Sequence, residues 1–333
     1  MTSETESVAA HKPRLLIIST QGLKRFVPAL GVMGGIRANH EGAHIVLLTT
    51  RATSAFAGTA PYFDEIWTDD TDGALSGIGD LRRLWVLRAR LVATPFDRVY
   101  DLDGTSHSKR LFWLMYGRRA LPLNRQTIAW SGTIPGTALS YADPRRHAMH
   151  LVDRWAAQLK VAGIGGVLRP DMSWVARQVK SFTVPFRMAE PFVMMAPAPG
   201  TGLAWAPERY GELARSLAAD GQIPVVMGPD VPPGVTRAVA EMCPSAVDLT
   251  GRATINEVVF LAWAATATVG PDNGIMHLTA ASGCPTVVLY DGASDPVLVG
   301  QRGNKVTILR RPHLADIPVG EVLAAVRGYT ARL

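Results

Sequence analysis

Asp272, Asn273, Gly274, Ile275 and His277 stand together between an apolar run, Val269-Gly270, and a helix-forming stretch, Leu278-Thr279-Ala280. A strand, an acidic-polar-glycine turn and a helix opening in that order make an anion site. Glycine lets the backbone turn tightly and approach a ligand, and the first free N–H groups of the helix sit at its positive end. His277 falls about one turn into the helix, within reach of an anion held there. The same residues also admit a plainer use, with Asp272 or Asn273 capping the helix, Gly274 serving the turn and His277 filling the core.

Such a turn needs a parallel sheet to hold it. Leu15-Leu16-Ile17-Ile18, His44 to Leu48, Glu65-Ile66-Trp67 and Arg98 to Leu102 are short apolar runs separated by helix-length stretches, the first helix being expected from about Val27. The pattern restarts at Phe192 to Ala196 and continues through Pro224 to Gly228, Ala267 to Gly270 and Thr286 to Tyr290. Strands alternating with helices predict parallel βαβ winding. The expected organisation is two facing, Rossmann-like, doubly wound α/β domains, residues 1–175 and 190–315, with ligands in the cleft at the strand carboxyl ends. A terminal helix, 316–333, with Val319, Val322, Leu323 and Val326 on one side, is expected to pack back on the first domain.

Composition narrows the classes. The 333 residues are 47% hydrophobic and 19% charged, enough apolar material for two domains and unlike a disordered chain. No apolar run is long enough to span a bilayer, and Met1 to Ala10 is polar and acidic, so a cytoplasmic setting is the expectation. Cys243 and Cys284 have no CxxC spacing and the histidines no HExxH spacing, so neither a disulfide framework nor a metal site is expected. Residues 1–170 carry a net charge of +7 and residues 171–333 one of −1. The basic first half suits an anionic glycan or lipid headgroup, or is simply a solvated face. Nucleic acid is not expected, for no aromatic-basic recognition motif accompanies the charge. Leu81, Leu84, Trp85 and Leu91, set among arginines, are either a peripheral contact with an anionic inner membrane or a core-facing stripe.

The run Gly270-Pro271-Asp272-Asn273-Gly274-Ile275-Met276-His277-Leu278-Thr279-Ala280-Ala281-Ser282-Gly283-Cys284-Pro285-Thr286-Val287 resembles the donor-binding signature D-[TS]-G-x-x-H-[LI]-x-A-A-x-G-x-P-x-[VI] of glycosyltransferase family 9, the ADP-heptose:lipopolysaccharide heptosyltransferases of GT-B fold. Asn273 replaces the usual small hydroxyl residue. Trp205 to Tyr210 is similar to the family's W-P-x-E-x-[FW] helix start, Asp101-Leu102-Asp103-Gly104 to its D-x-Q-G turn, and His150 to Arg154 to its H-x-V-[DE]-R run. The resemblance implies an inverting, metal-independent transfer of a heptose-like sugar from a nucleotide-diphospho-sugar such as ADP-heptose to a glycan or lipid-linked saccharide, with no cofactor. It implies donor contacts from Asp272, Asn273, Gly274, Ile275, His277, Thr201, Gly202, Asp230 and Gly251.

Two departures fall where the chemistry belongs. The family's usual base, an aspartate of the first loop, is replaced by Gly22, and the lysine two residues before the tryptophan is replaced by Leu203. Lys24 and Arg25, beside Gly22, are candidates to supply the missing positive charge from the opposite wall of the cleft. Asp103 and Asp101 are the candidates for the base, with capping of their loop as the alternative. A relative that binds a nucleotide-sugar or glycan without transferring it is the competing expectation.

Overall fold

A computed structural model describes residues 12–69, 71, 78–167, 169–179, 181–198 and 204–330. In the first half lie β1 (Arg14–Ser19), α1 (Leu23–Ala38), β2 (His44–Thr49), α2 (Arg51–Ala57), β3 (Glu65–Thr68), α3 (Ile78–Ala93), β4 (Arg98–Asp101), α4 (Ser106–Tyr116), β5 (Trp130–Gly132), β6 (Leu139–Ser140) and α5 (Leu151–Val161). The second half holds β7 (Phe192–Met195), α6 (Pro207–Ala219), β8 (Ile223–Val226), α7 (Pro233–Met242), β9 (Val247–Asp248), α8 (Ile255–Ala264), β10 (Ala267–Pro271), α9 (Gly274–Ala281), β11 (Thr286–Tyr290), α10 (Pro296–Val299), β12 (Val306–Arg310) and α11 (Val319–Thr330).

Each half forms one six-stranded parallel sheet, in the orders β3-β2-β1-β4-β5-β6 and β12-β11-β10-β7-β8-β9. Counted from its own first strand, each is the doubly wound order 3-2-1-4-5-6. Ligands bind such a sheet where the winding reverses, beyond the strand carboxyl ends. Those points lie between β1 and β4, where Ile18 pairs with Asp101, and between β7 and β10, where Met195 pairs with Val269. The central strands are buried on both faces, which is why they read as unbroken apolar runs.

The domains meet through α1 and α9, whose Phe26, Met33, Ile275, Met276 and Leu278 belong to one continuous apolar core. At Gly274 the approach is closest. A Cβ there would stand 2.9 Å from Leu23 Cβ and 3.1 Å from the Lys24 nitrogen, so only glycine lets the two helix beginnings abut.

Two expectations are corrected. The first helix starts at Leu23 rather than near Val27, with Pro28 inside its early turns, so Lys24 and Arg25 ride on a helix and not on a loop. The terminal helix does not return to the first domain. Val322, Leu323 and Val326 of α11 pack with Leu213, Leu217 and Leu314 against the second sheet, because α6 and β10 leave an apolar face that this stripe covers.

Candidate functional site

Gly22 caps α1 with φ 69°, and its carbonyl accepts from the Arg25 and Phe26 amides. That geometry suits glycine and aims the first turn of α1 at the first turn of α9. Two positive helix ends therefore converge on one spot. Asp272 sits between them. Its Oδ2 lies 2.6 Å from Lys24 Nζ, an ion pair made across the cleft. Ser294 Oγ donates to Oδ2 at 3.0 Å, and Gln301 Nε2 donates to Oδ1 at 2.8 Å. Gln301 in turn accepts from Tyr290 Oη at 2.9 Å. Burial opposes ionisation of Asp272, but the His277 imidazole and the Lys24 ammonium outweigh it and hold the carboxyl well below the usual carboxylate range.

Asn273 is the N-cap of α9. Its Oδ1 accepts from the Ile275 and Met276 amides at 2.9 and 3.1 Å, and its Nδ2 donates to Ala196 O at 2.9 Å, tying the turn to the end of β7. The Ile275 amide, expected from the sequence to hold the ligand, is thus already taken by the cap. His277 is buried behind Asp272 rather than standing on the cleft wall, with Nε2 3.5 Å from Asp272 Oδ1, a long and weak contact. Burial lowers its pKa more than Asp272 raises it, so the ring is neutral at physiological pH.

Three cavities surround this junction. One of about 390 Å³ is lined by Lys24, Trp205, Asp272, Asp291 and Ser294. A second, about 750 Å³ and mainly apolar, lies between the domains and is lined by Leu23, Phe56, Asp230, Thr254, Glu257 and Ile275. The expected donor residue Asp230 is exposed on that wall, while Gly251 is not among its lining residues and is tied to the wall only through its amide, which donates to Gly228 O at 3.0 Å. Thr201 and Gly202, with Leu203, lie outside the described residues.

The third cavity, about 220 Å³, opens at the switch point of the first sheet and is lined by Gln21, Arg25, Asp103, Arg146, His147 and Arg154, among others. Asp103 Oδ2 accepts from Thr20 N at 2.8 Å and Thr20 Oγ1 at 2.7 Å, which draws the loop after β4 onto the loop after β1. Asp101 lies deeper, only 1% exposed, with Oδ1 accepting from the Asp103 and Gly104 amides. Burial pushes its pKa up to about 6. Its hydrogen bonds are those of a residue that shapes the turn, as the capping alternative expects.

Arg146 and Arg154 are functional candidates that the motif reading left without a role. Burial, then Arg25, then Arg146 lower the pKa of Arg154, and its Nε has no partner. Three guanidinium groups sharing one small cavity repel one another unless an anion joins them. Only their folding together shows this, since the three come from α1, the loop after β6 and α5. Two further links span the domains: His150 Nε2 donates to Gly300 O at 3.0 Å while its Nδ1 accepts from Val152 N, and Arg302 makes a two-pronged pair with Asp153.

Two Rossmann-like sheets facing each other across a cleft give this chain the GT-B architecture. The chain belongs to glycosyltransferase family 9 (heptosyltransferase), whose family model matches residues 84–321. Over 119 residues it is 32% identical to lipooligosaccharide heptosyltransferase 2 of Haemophilus influenzae, a match covering 33% of this chain and 33% of that relative. In fold it is similar to the Escherichia coli ADP-heptose LPS heptosyltransferase II, with a TM-score of 0.71, 19% identity and 96% and 99% of the two chains covered. The E. coli heptosyltransferase WaaC with ADP superposes with a TM-score of 0.72 at 17% identity, covering 95% and 99%.

Proposed function

We propose that this protein transfers a heptose-like sugar, with inversion and without a metal, from a nucleotide-diphospho-sugar to a hydroxyl of an acidic, lipid-linked glycan. The observation that carries the reading is the Lys24–Asp272 pair at the junction of two helix N-termini. Lys24 brings from the first domain the cation that the family places at the position of Leu203. In this reading the diphosphate lies at the α1–α9 junction, held by Lys24 and the start of α9, and charge building on the leaving phosphate is stabilised by groups already in place. The nucleoside occupies the 750 Å³ cavity, with Asp230 toward the ribose. ADP-heptose is the first donor to try, since the E. coli relative WaaC is known with ADP. No cofactor beyond the donor is required.

Asp103 is the base. It takes the glutamine position of the family's D-x-Q-G turn, and its bonds to Thr20 bring a carboxylate to the first loop, where Gly22 has replaced the usual aspartate. Arg25, Arg146 and Arg154 hold an acidic group of the acceptor beside it. His277 acts from behind, supporting the Asp272 carboxylate without touching substrate.

A binder that does not transfer is the second reading, favoured by Arg25, a half-buried cation that attracts Asp103 and competes with a substrate hydroxyl for its carboxylate. Turnover of ADP-heptose with lipid-linked saccharide acceptors separates the two. For the enzyme, Asp103→Asn lowers kcat by about 10²–10⁴-fold with donor affinity unchanged. Donor binding without sugar transfer to any acceptor establishes the binder, and an Asp103→Asn variant as active as the parent removes Asp103 from the chemistry.

A further inference from the structure

Helix α3 carries two apolar stripes, and the first domain uses only one. Leu87 and Leu91 are buried against the sheet with Leu16, Val46 and Val99. Of the stripe expected from the sequence, Leu91 and the half-buried Leu84 thus belong to the core side. Leu81, Trp85 and Val92, spaced four and seven residues apart and so on one side of the helix, are 55%, 68% and 51% exposed. The neighbouring α4 and the turn after it add Trp113 and Leu121, 45% and 48% exposed. Isolated apolar side chains on a surface need no explanation, but two tryptophans and three aliphatic residues on adjoining elements do.

The charge around them identifies what covers them. Residues 81–125 hold ten Lys and Arg against three acids, Asp97, Asp101 and Asp103, of which Asp101 is buried and Asp103 lines the switch-point cavity. Arg82, Arg88, Arg118 and Arg119 are exposed beside the apolar residues. Tryptophan sits well at the boundary between headgroups and acyl chains, and arginine pairs there with lipid phosphate. A helix with this arrangement lies in the plane of an anionic surface. No helix of the described residues is long and apolar enough to cross a membrane. The face formed by α3 and α4 covers the side of the first sheet opposite α1, so docking through it leaves the interdomain cleft open.

We propose that the outer face of α3 and α4, centred on Trp85 and flanked by Arg82, Arg88, Arg118 and Arg119, docks the protein on an anionic bilayer surface. Docking is independent of the transfer chemistry, and its test uses neither donor nor acceptor. The full chain is sedimented with vesicles of phosphatidylcholine alone or with about one third phosphatidylglycerol, at low and high salt. Binding is expected only to the anionic vesicles, with a loss at high salt and a blue shift of tryptophan emission on binding. Trp85→Ser and Leu81→Ser each abolish the blue shift or weaken binding severalfold. Arg82→Gln with Arg88→Gln weakens it about fivefold per arginine. Thermal unfolding of every variant stays as in the parent, because the replaced side chains are exposed. No binding, equal binding to neutral vesicles, or undiminished binding by Trp85→Ser overturns the proposal. So does a Trp85→Ser variant that turns a dimer into a monomer in sedimentation velocity, which assigns the face to a second copy of the chain.

Discussion

Replacing Lys24 with glutamine removes the ammonium that the first domain pairs with Asp272. The ammonium lies 2.6 Å from a carboxylate that is 7% exposed, but the lysine side chain is itself 41% exposed. Solvent therefore screens the pair, and its share in folding is below about 1 kcal/mol, the more so because Ser294 and Gln301 continue to hold Asp272. The effect on a diphosphate is larger. A lost charge-assisted hydrogen bond weakens binding by about 1.5–3 kcal/mol, and the exposure of Lys24 points to the lower half of that range, about 12–40-fold in Kd. Calorimetric titration with ADP reads the loss, and titration with adenosine provides the control, expected within about twofold of the parent since nucleoside contacts lie in the other cavity. Equal ADP affinity in Lys24→Gln refutes the role of Lys24. An equal loss for adenosine shows that the substitution has instead disturbed the α1–α9 junction.

Arg154→Gln is expected to raise the acceptor KM at least tenfold while leaving donor affinity unchanged, measured by varying each substrate in turn. Gly274→Ala forces Leu23 and the Lys24 backbone to move, lowering stability in urea unfolding by about 1–3 kcal/mol and weakening ADP binding with it. Asp101 has a folded pKa of about 6 against 3.8 for the free side chain, so its stabilising share is complete below about pH 4 and lost as pH rises through 6. Asp101→Asn should therefore gain on the parent between pH 4 and 7, by about 3 kcal/mol at most, in denaturant titrations at stepped pH. His277 has the opposite sense: its pKa is depressed, so its share is present above pH 6.5 and lost as pH falls below that. NMR titration of the imidazole should find a midpoint below 6.5.

The legible parts of this fold are those where burial acts on both faces of a strand. β1, β2, β7, β10 and β11 are unbroken apolar runs and can be read directly. β6 and β9 are two residues long, and the half-exposed edge strand β12 alternates in burial, so pattern alone does not mark them. The α11 stripe was visible, but a stripe does not say which sheet it covers. The turn at 271–274 was legible because glycine, a cap and a helix start are local features. The pairing of Lys24 with Asp272 and the convergence of Arg25, Arg146 and Arg154 were not, since they depend on how two sheets and three distant segments face each other. The sequence offers Lys24 as a cation from the opposite wall of the cleft but not its partner, and the helical first turn of α1 is what brings it to Asp272.

A structure of the protein with ADP bound tests the account most directly. The diphosphate is expected at the meeting of α1 and α9, with a phosphate oxygen within about 3.2 Å of Lys24 Nζ and another facing the start of α9. ADP seated elsewhere, or an α1–α9 junction that stays closed with Lys24 still bound to Asp272 at saturating ADP, contradicts it.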